Sequence, residues 1–386
     1  MCVARAAFVM LAAALTACGG NSEAPTSECT RLFCVPEPPS PFSYDNFKHR
    51  SALMLPAGDN TVRAYPASRN AYFFRAVPTY DKTSPPAEAT PSHFEFWTLS
   101  SAGVWTQQVR LLPLGADGCV HPRKAVVADF NGDGVADIFV ACQGYDAAPF
   151  PGETNRIVLS QPDGTFVIKD VPAHSGYNSG ATTADLNGDG KVDVVVTDKL
   201  FAQRAYVLLG DGAGGFKQET TARLPSALTM GGGSYLNVEL ADVNRDGNRD
   251  LLVGGNEWEN APTSVFLNPG NFDFTSAQPI VLPPVAGQGV VLDFMVVRGD
   301  ARPNVTPVYS SPASIWLSRT SGDATSGSTF QSRVVQRVDY PSLNSTVVLN
   351  QEPGPWIPWL IEAVSSDKQS FVITSDNAAE MVSFPD

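Results

Sequence analysis

A nine-residue acidic segment, Asp-x-Asn-x-Asp-Gly-x-x-Asp, occurs three times, beginning at Asp129, Asp185 and Asp242, with consecutive copies 56 and 57 residues apart. A fixed period of this length predicts a repeat architecture, each unit a supersecondary module that buries its apolar faces against its neighbours. Within each copy, oxygen-bearing side chains on alternate residues precede a glycine that allows a sharp turn. Hard divalent cations are held this way, Ca2+ above all, so three calcium sites are expected. The candidate ligands are Asp129, Asn131, Asp133 and Asp137 in the first copy, Asp185, Asn187, Asp189 and Asp193 in the second, and Asp242, Asn244, Asp246 and Asp250 in the third. Val135, Lys191 and Asn248 occupy the seventh positions and would offer only backbone carbonyls.

Helix–loop–helix calcium sites need a bidentate glutamate at position 12. Here that position is Val140, Val196 or Val253, each inside an apolar run. The acidic segment is therefore read as a loop between two strands. One apolar strand leads into each copy (Lys124–Ala128, Gly180–Ala184, Asn237–Ala241) and a second follows it (Ile138–Ala141, Val194–Thr197, Leu251–Val253). A hairpin with a glycine turn closing on an aromatic comes next, at Ile157–Phe166, Tyr206–Phe216 and Val265–Phe272. Four strands per unit at this period predict the blades of an all-β propeller. The hairpin recurs without the acidic loop at Phe94–Trp105, Ile315–Phe330 and Phe371–Val382, and Ala52–Val62 hints at a further copy. Six or seven blades are expected, seven slightly favoured, with closure joining strands from both ends. A decayed loop without the ligand spacing is read at Asp293–Asp300.

These strand–loop–strand units resemble the FG-GAP/VCBS repeats, closely over residues 119–283 and loosely in the flanks. The resemblance implies propeller blades like those of integrin α-subunit heads, with calcium in the loops clipping the turn between two strands. It is specific for fold and ion, and unspecific for activity. Arg245 and Arg249 flank the ligands of the third loop, so the weakest ion binding is expected there.

Arg5 precedes the apolar run Ala6–Leu15, which is too short to span a bilayer as a mature helix and reads as an export signal. The ending Leu15-Thr-Ala-Cys18 resembles a bacterial lipobox, which implies removal of residues 1–17 and lipidation of Cys18. Gly19 in place of an aspartate favours anchoring at the outer membrane of a Gram-negative bacterium. Residues 18–47, stiffest at Pro36–Pro41, read as an extended tether ahead of a propeller over residues 48–386. With Cys2 in the signal and Cys18 lipidated, Cys29, Cys34, Cys119 and Cys142 remain, an even number suited to two disulfides in an oxidising compartment. Three pairings are open, and in one of them Cys119–Cys142 brackets the first acidic loop. A net charge of −13 speaks against nucleic acid as a partner.

Nucleophile-elbow, zinc-protease, phosphate-loop and dinucleotide fingerprints are absent. Ser365–Lys368 and Ser375–Asn377 imitate β-lactamase motifs, and Arg298-Gly-Asp300 spells an integrin-recognition tripeptide; both read as coincidences of turn composition. The informative region is the propeller face opposite the acidic loops, where links between blades gather aromatic and polar residues. His121, His174, Tyr177, Tyr235, Glu257 and Trp258 are its candidate ligand-binding residues. The expected role is a non-enzymatic binding module of the cell envelope for a glycan or surface protein. The rival is an enzyme working at the propeller mouth, such as a polysaccharide lyase or hydrolase.

Overall fold

The runs that follow the acidic loops are apolar at three or more consecutive residues, a pattern that requires burial on both faces of a strand. The computed structural model describes residues 49–53, 72–77, 85–99, 105–199, 204–297, 313–322, 331–350, 360–363, 370–374 and 379–383. Cys18, Cys29, Cys34, the tether, most of Ala52–Val62, Arg298–Asp300 and the β-lactamase-like segments lie outside them.

Strand β1 (His49–Leu53) is followed by a three-stranded sheet of β2 (Tyr72–Val77), β3 (His93–Leu99) and β4 (Trp105–Gln107). A four-stranded sheet holds β5 (Pro122–Ala128), β6 (Asp137–Cys142), β7 (Glu153–Ser160) and β8 (Phe166–Gly176). The next holds β9 (Asn178–Ala184), β10 (Asp193–Asp198), β11 (Ala205–Gly210) and β12 (Phe216–Gln218). Then come β13 (Tyr235–Ala241), β14 (Asp250–Gly255), β15 (Ser264–Phe266) and β16 (Ile280–Val281) in one sheet. Strands β17 (Val290–Val297), β18 (Ala313–Thr320), β19 (Arg333–Tyr340) and β20 (Asn344–Asn350) make another. The last sheet runs β1-β23-β22-β21, from β21 (Leu360–Ala363), β22 (Ser370–Thr374), β23 (Ala379–Ser383) and the first strand of the chain. Among the described residues that makes six sheets, with every pairing between their strands antiparallel.

Inner strands β5, β9, β13, β17 and β21 neighbour one another in turn, which is the arrangement of propeller blades. Side chains of alternate parity serve opposite neighbours. On β10, Val194 and Val196 pack with Phe139, Ile157 and Tyr206, while Val195 joins Val238, Leu251 and Phe266 of the following sheet. Leu252 and Val265 turn the other way, onto Val291, Ile315 and Leu317. Aromatic rings seal the joints: Phe130, Phe139 and Phe216 meet within 6.3 Å, and Phe96 stacks on Phe166 at 4.7 Å. The only α-helix among the described residues is the single turn α1 (Ser226–Thr229), and no helix there is long and apolar enough to cross a membrane.

Polar groups from four inner strands occupy the axis. Lys124 Nζ lies 2.5 Å from Asp293 Oδ1, and Asn237 Nδ2 donates to the same oxygen at 3.1 Å. Thr182 Oγ1 donates to Glu239 Oε1 at 2.7 Å. Burial pushes the Glu239 carboxyl above its ordinary range, opposed by the Lys124 charge.

Three sequence readings are corrected. Asp293 does not open a decayed loop; it sits within β17 opposite Ser318, with its carboxylate on the axial lysine. The segments around Ile315–Phe330 and Phe371–Val382 supply second and third strands of their sheets rather than third and fourth, β20 taking the outer place of the one and β1 that of the other. The partner of β15 is β16 at Ile280, not the chain at Phe272, whose ring instead stands against Phe274.

Candidate functional site

Each acidic loop joins an inner strand to the next strand of its sheet: β5 to β6, β9 to β10 and β13 to β14. The backbone repeats closely. The fifth amide donates to the third side-chain oxygen at 3.0, 2.9 and 3.0 Å, and the seventh amide to the fifth carboxylate at 2.7, 3.0 and 2.7 Å. The sixth-position glycines, Gly134, Gly190 and Gly247, have φ of 89°, 81° and 92°, the left-handed region open to a residue without Cβ. Their amides reach Oδ2 of the first aspartate at 2.9, 2.9 and 3.1 Å.

The ninth aspartates behave differently from the rest. Asp137, Asp193 and Asp250 are fully buried. In each, one oxygen accepts the amide of the second loop residue (Phe130, Leu186 or Val243, 2.8–2.9 Å). The other accepts an amide at the end of the third strand (Ser160, Gly210 or Asn268, 2.7–2.9 Å). Each carboxylate thus straps its loop to the sheet. Burial raises all three against these hydrogen bonds, Asp137 and Asp250 to about 6. The exposed fifth-position groups Asp189 and Asp246 are lowered, first by the seventh-residue amides.

The donor set fits a hard cation, being made of carboxylate and carboxamide oxygens alone. In the first loop the Ser160 hydroxyl lies 2.8 Å from both Asp133 Oδ2 and Asp137 Oδ1, so two carboxylates crowd one small group. In the third, Asp242 Oδ1 is buried without a hydrogen-bond partner. Cys119, Cys142 and Glu153 also bring ligand atoms within 4.8 Å of one another, but there the two sulfurs form a disulfide. Glu153 beside it accepts the amides of Val120, His121 and Gly144 at 3.1, 3.2 and 3.1 Å, tying the segment before β5 to the end of β6 as the disulfide does.

At the opposite mouth, the structure joins His121, Tyr177 and His174 into one network. Gln143 Nε2 lies 3.5 Å from His121 Nδ1 and donates to the Tyr177 hydroxyl at 2.6 Å, and that hydroxyl donates to Asp146. Asp198 accepts the Tyr177 amide at 3.2 Å and pairs with His174 Nε2 at 3.0 Å. The His174 ring lies 4.0 Å from that of Tyr206, whose hydroxyl bridges Asn155 and Asn178. His121, Tyr177 and Tyr235 are all buried. Glu257 and Trp258 stand apart, between the fourth and fifth sheets. Glu257 Oε1 accepts from the buried Arg319 at 2.9 Å and from Thr263 at 2.5 Å. Trp258 lies on glycines: a Cβ added to Gly322 would meet its ring at 2.4 Å, and one at Gly289 at 3.2 Å.

Sequence reasoning missed Gln143, Asp146, Asp198 and Arg319. None repeats in register, whereas His121 and Tyr177 do. It also passed over the electrostatic grouping of Lys199, whose ammonium is lowered by burial while Glu259 and Asp146 support its charge and Arg123 opposes it. Phe150 is the aromatic left open, 41% exposed and edge-on to Tyr177 at 6.0 Å.

A family model described as an FG-GAP-like repeat matches residues 129–196 and 185–253. The chain carries FG-GAP-like repeats. Both matches begin on the first aspartate of an acidic loop and end in the second strand of the following sheet. No curated protein matches the chain. Solved structures similar to it include YCF48 bound to a D1 peptide, at 12% identity and TM-score 0.41 over 91% of this chain and 100% of that one. The Dos1 propeller gives 9% and 0.37 over 82% and 65%. An exo-β-1,3-galactanase from Phanerochaete chrysosporium with galactose gives 10% and 0.40 over 78% and 70%.

Proposed function

We propose that this FG-GAP repeat propeller is a calcium-stabilised binding module of the cell envelope, held by a lipid at Cys18 and recognising a glycan or a protein partner at the mouth opposite its acidic loops. One observation carries the reading. The acid–base groups of that mouth are committed to structural pairs, His174 with Asp198 and Glu257 with Arg319, while Phe150 stays open among mixed charges. An exposed ring beside paired charges suits stacking on a sugar or apolar side chain. A lipid anchor on an export signal places the module at a membrane, the outer membrane being the expected one, and the charge of −13 keeps nucleic acid from the partner set.

The His174–Asp198 pair supports a second reading, since a carboxylate-oriented imidazole is also a general base. A glycan array and a turnover screen on the same purified protein separate the two. Binding without product, lost in Phe150→Ala, supports the module; product abolished by His174→Ala or Glu257→Gln supports an enzyme. Radiolabelled palmitate in the wild type and not in Cys18→Ser tests the anchor. Metal analysis of the native protein tests the ion, and absence of calcium there sinks that part of the reading.

A further inference from the structure

The three acidic loops share a spacing but not a hydrogen-bond pattern. In the first two, Oδ1 of the leading aspartate is covered by backbone amides. Gly132 and Asp133 donate to Asp129 at 2.7 and 3.2 Å, and Gly188 and Asp189 to Asp185 at 2.7 and 3.1 Å. In the third loop Gly247 reaches Oδ2 of Asp242, while Oδ1 is left buried and without a hydrogen-bond partner. Asp242 is only 5% exposed, against half-buried Asp129 and Asp185. The sequence difference lies at the fourth position. Gly132 and Gly188 take φ of 74° and 77°, and Arg245 is held at 66°, where its Cβ is disfavoured.

A buried carboxylate oxygen without a donor is unfavourable to keep charged, and a cation beside it removes that penalty. We infer that the third loop is the ion-dependent one of the three, binding calcium most tightly and losing most stability when calcium is removed. The first two are satisfied internally and hold their shape from amide contacts alone. Of the two flanking arginines, Arg249 is engaged elsewhere, its Nη1 donating to the Thr183 carbonyl of the neighbouring sheet at 3.0 Å. Local charge alone ranks this loop last; its hydrogen bonds rank it first. The inference rests on the calcium reading above.

Thermal melts in chelator and in calcium, with calorimetric calcium titration of the full chain, test it. In chelator, Asp129→Asn and Asp185→Asn each remove a charged acceptor of three amides and lower Tm by about 2–4 °C, while Asp242→Asn leaves it unchanged or higher. In calcium, Asp242→Asn abolishes the tightest step of the titration and most of the calcium-induced rise in Tm. Arg245→Gly, which copies the fourth residue of the other loops, raises Tm in chelator and narrows the calcium-dependent gap. Calcium binding with the tightest step intact in Asp242→Asn overturns the inference alone, as does a fall of its chelator Tm matching the other two. No calcium heat in the wild type overturns the ion reading and this one with it.

Discussion

At the scale of single residues, the three aspartates of a repeat look equivalent in sequence and differ in what they touch. Asp133 is exposed; Asp137 accepts the amides of Phe130, Asn131 and Ser160 in the interior. Removing a buried acceptor leaves its donors unpaired, so Asp137→Ala is expected to cost roughly 3–5 kcal/mol in urea unfolding with chelator present. Asp133→Ala under the same conditions is expected to stay within about 1 kcal/mol. Glu153 gives a pH signature away from the loops. Burial raises its carboxyl above the ordinary 4.5, so its contribution is fully present below that pH and is lost as pH rises through the folded value. Glu153→Gln lacks this loss, so the Tm gap between wild type and variant is largest in acid and shrinks toward neutrality. A gap that widens with pH contradicts the assignment. The alternate spacing of oxygen donors was legible in the sequence, but the ninth residue's second task was not, because its partner Ser160 lies 23 residues away on another strand.

Among the elements, the strands around the loops were readable because apolar runs such as Val194–Val196 can only be sandwiched. Their place within a sheet was less readable, since period-two patterning looks the same in a second and a third strand. That is why Ile315 and Phe371 were assigned to the wrong pair of strands and why Asp293 looked like a failed loop. The axial contact between β5 and β17 carries no local signal, as Lys124 and Asp293 are 169 residues apart. Breaking a buried ion pair from one side leaves a charge without compensation, so Lys124→Met is expected to cost roughly 3–5 kcal/mol by denaturant titration. Adding Asp293→Leu to it should recover much of that loss; a double variant no more stable than the single one would show that packing, not charge, dominates the axis.

For the molecule as a whole, ring closure rests on β1, which pairs with β23 from His49↔Ser383 to Leu53↔Ala379. Deleting residues 49–53 exposes the edge of β23 and is expected to give a chain that self-associates, seen as oligomers in light scattering, with a lowered melting transition. A monomeric deletion variant with an unchanged melt would refute that role for β1. Repeats and fold were visible from the acidic period, while the mouth was only partly so: His121 and Tyr177 stood in register, but Asp198 and Arg319, which occupy His174 and Glu257, follow no pattern. The seam between β1 and β23 also sets a clock. Contacts within each of the other sheets join neighbouring stretches of chain and can form quickly, whereas the seam joins its two ends and must wait for a rare encounter. The meeting of those two strands is therefore expected to be the slowest step of folding, and variants of β1 should slow refolding more than equally destabilising changes in β10.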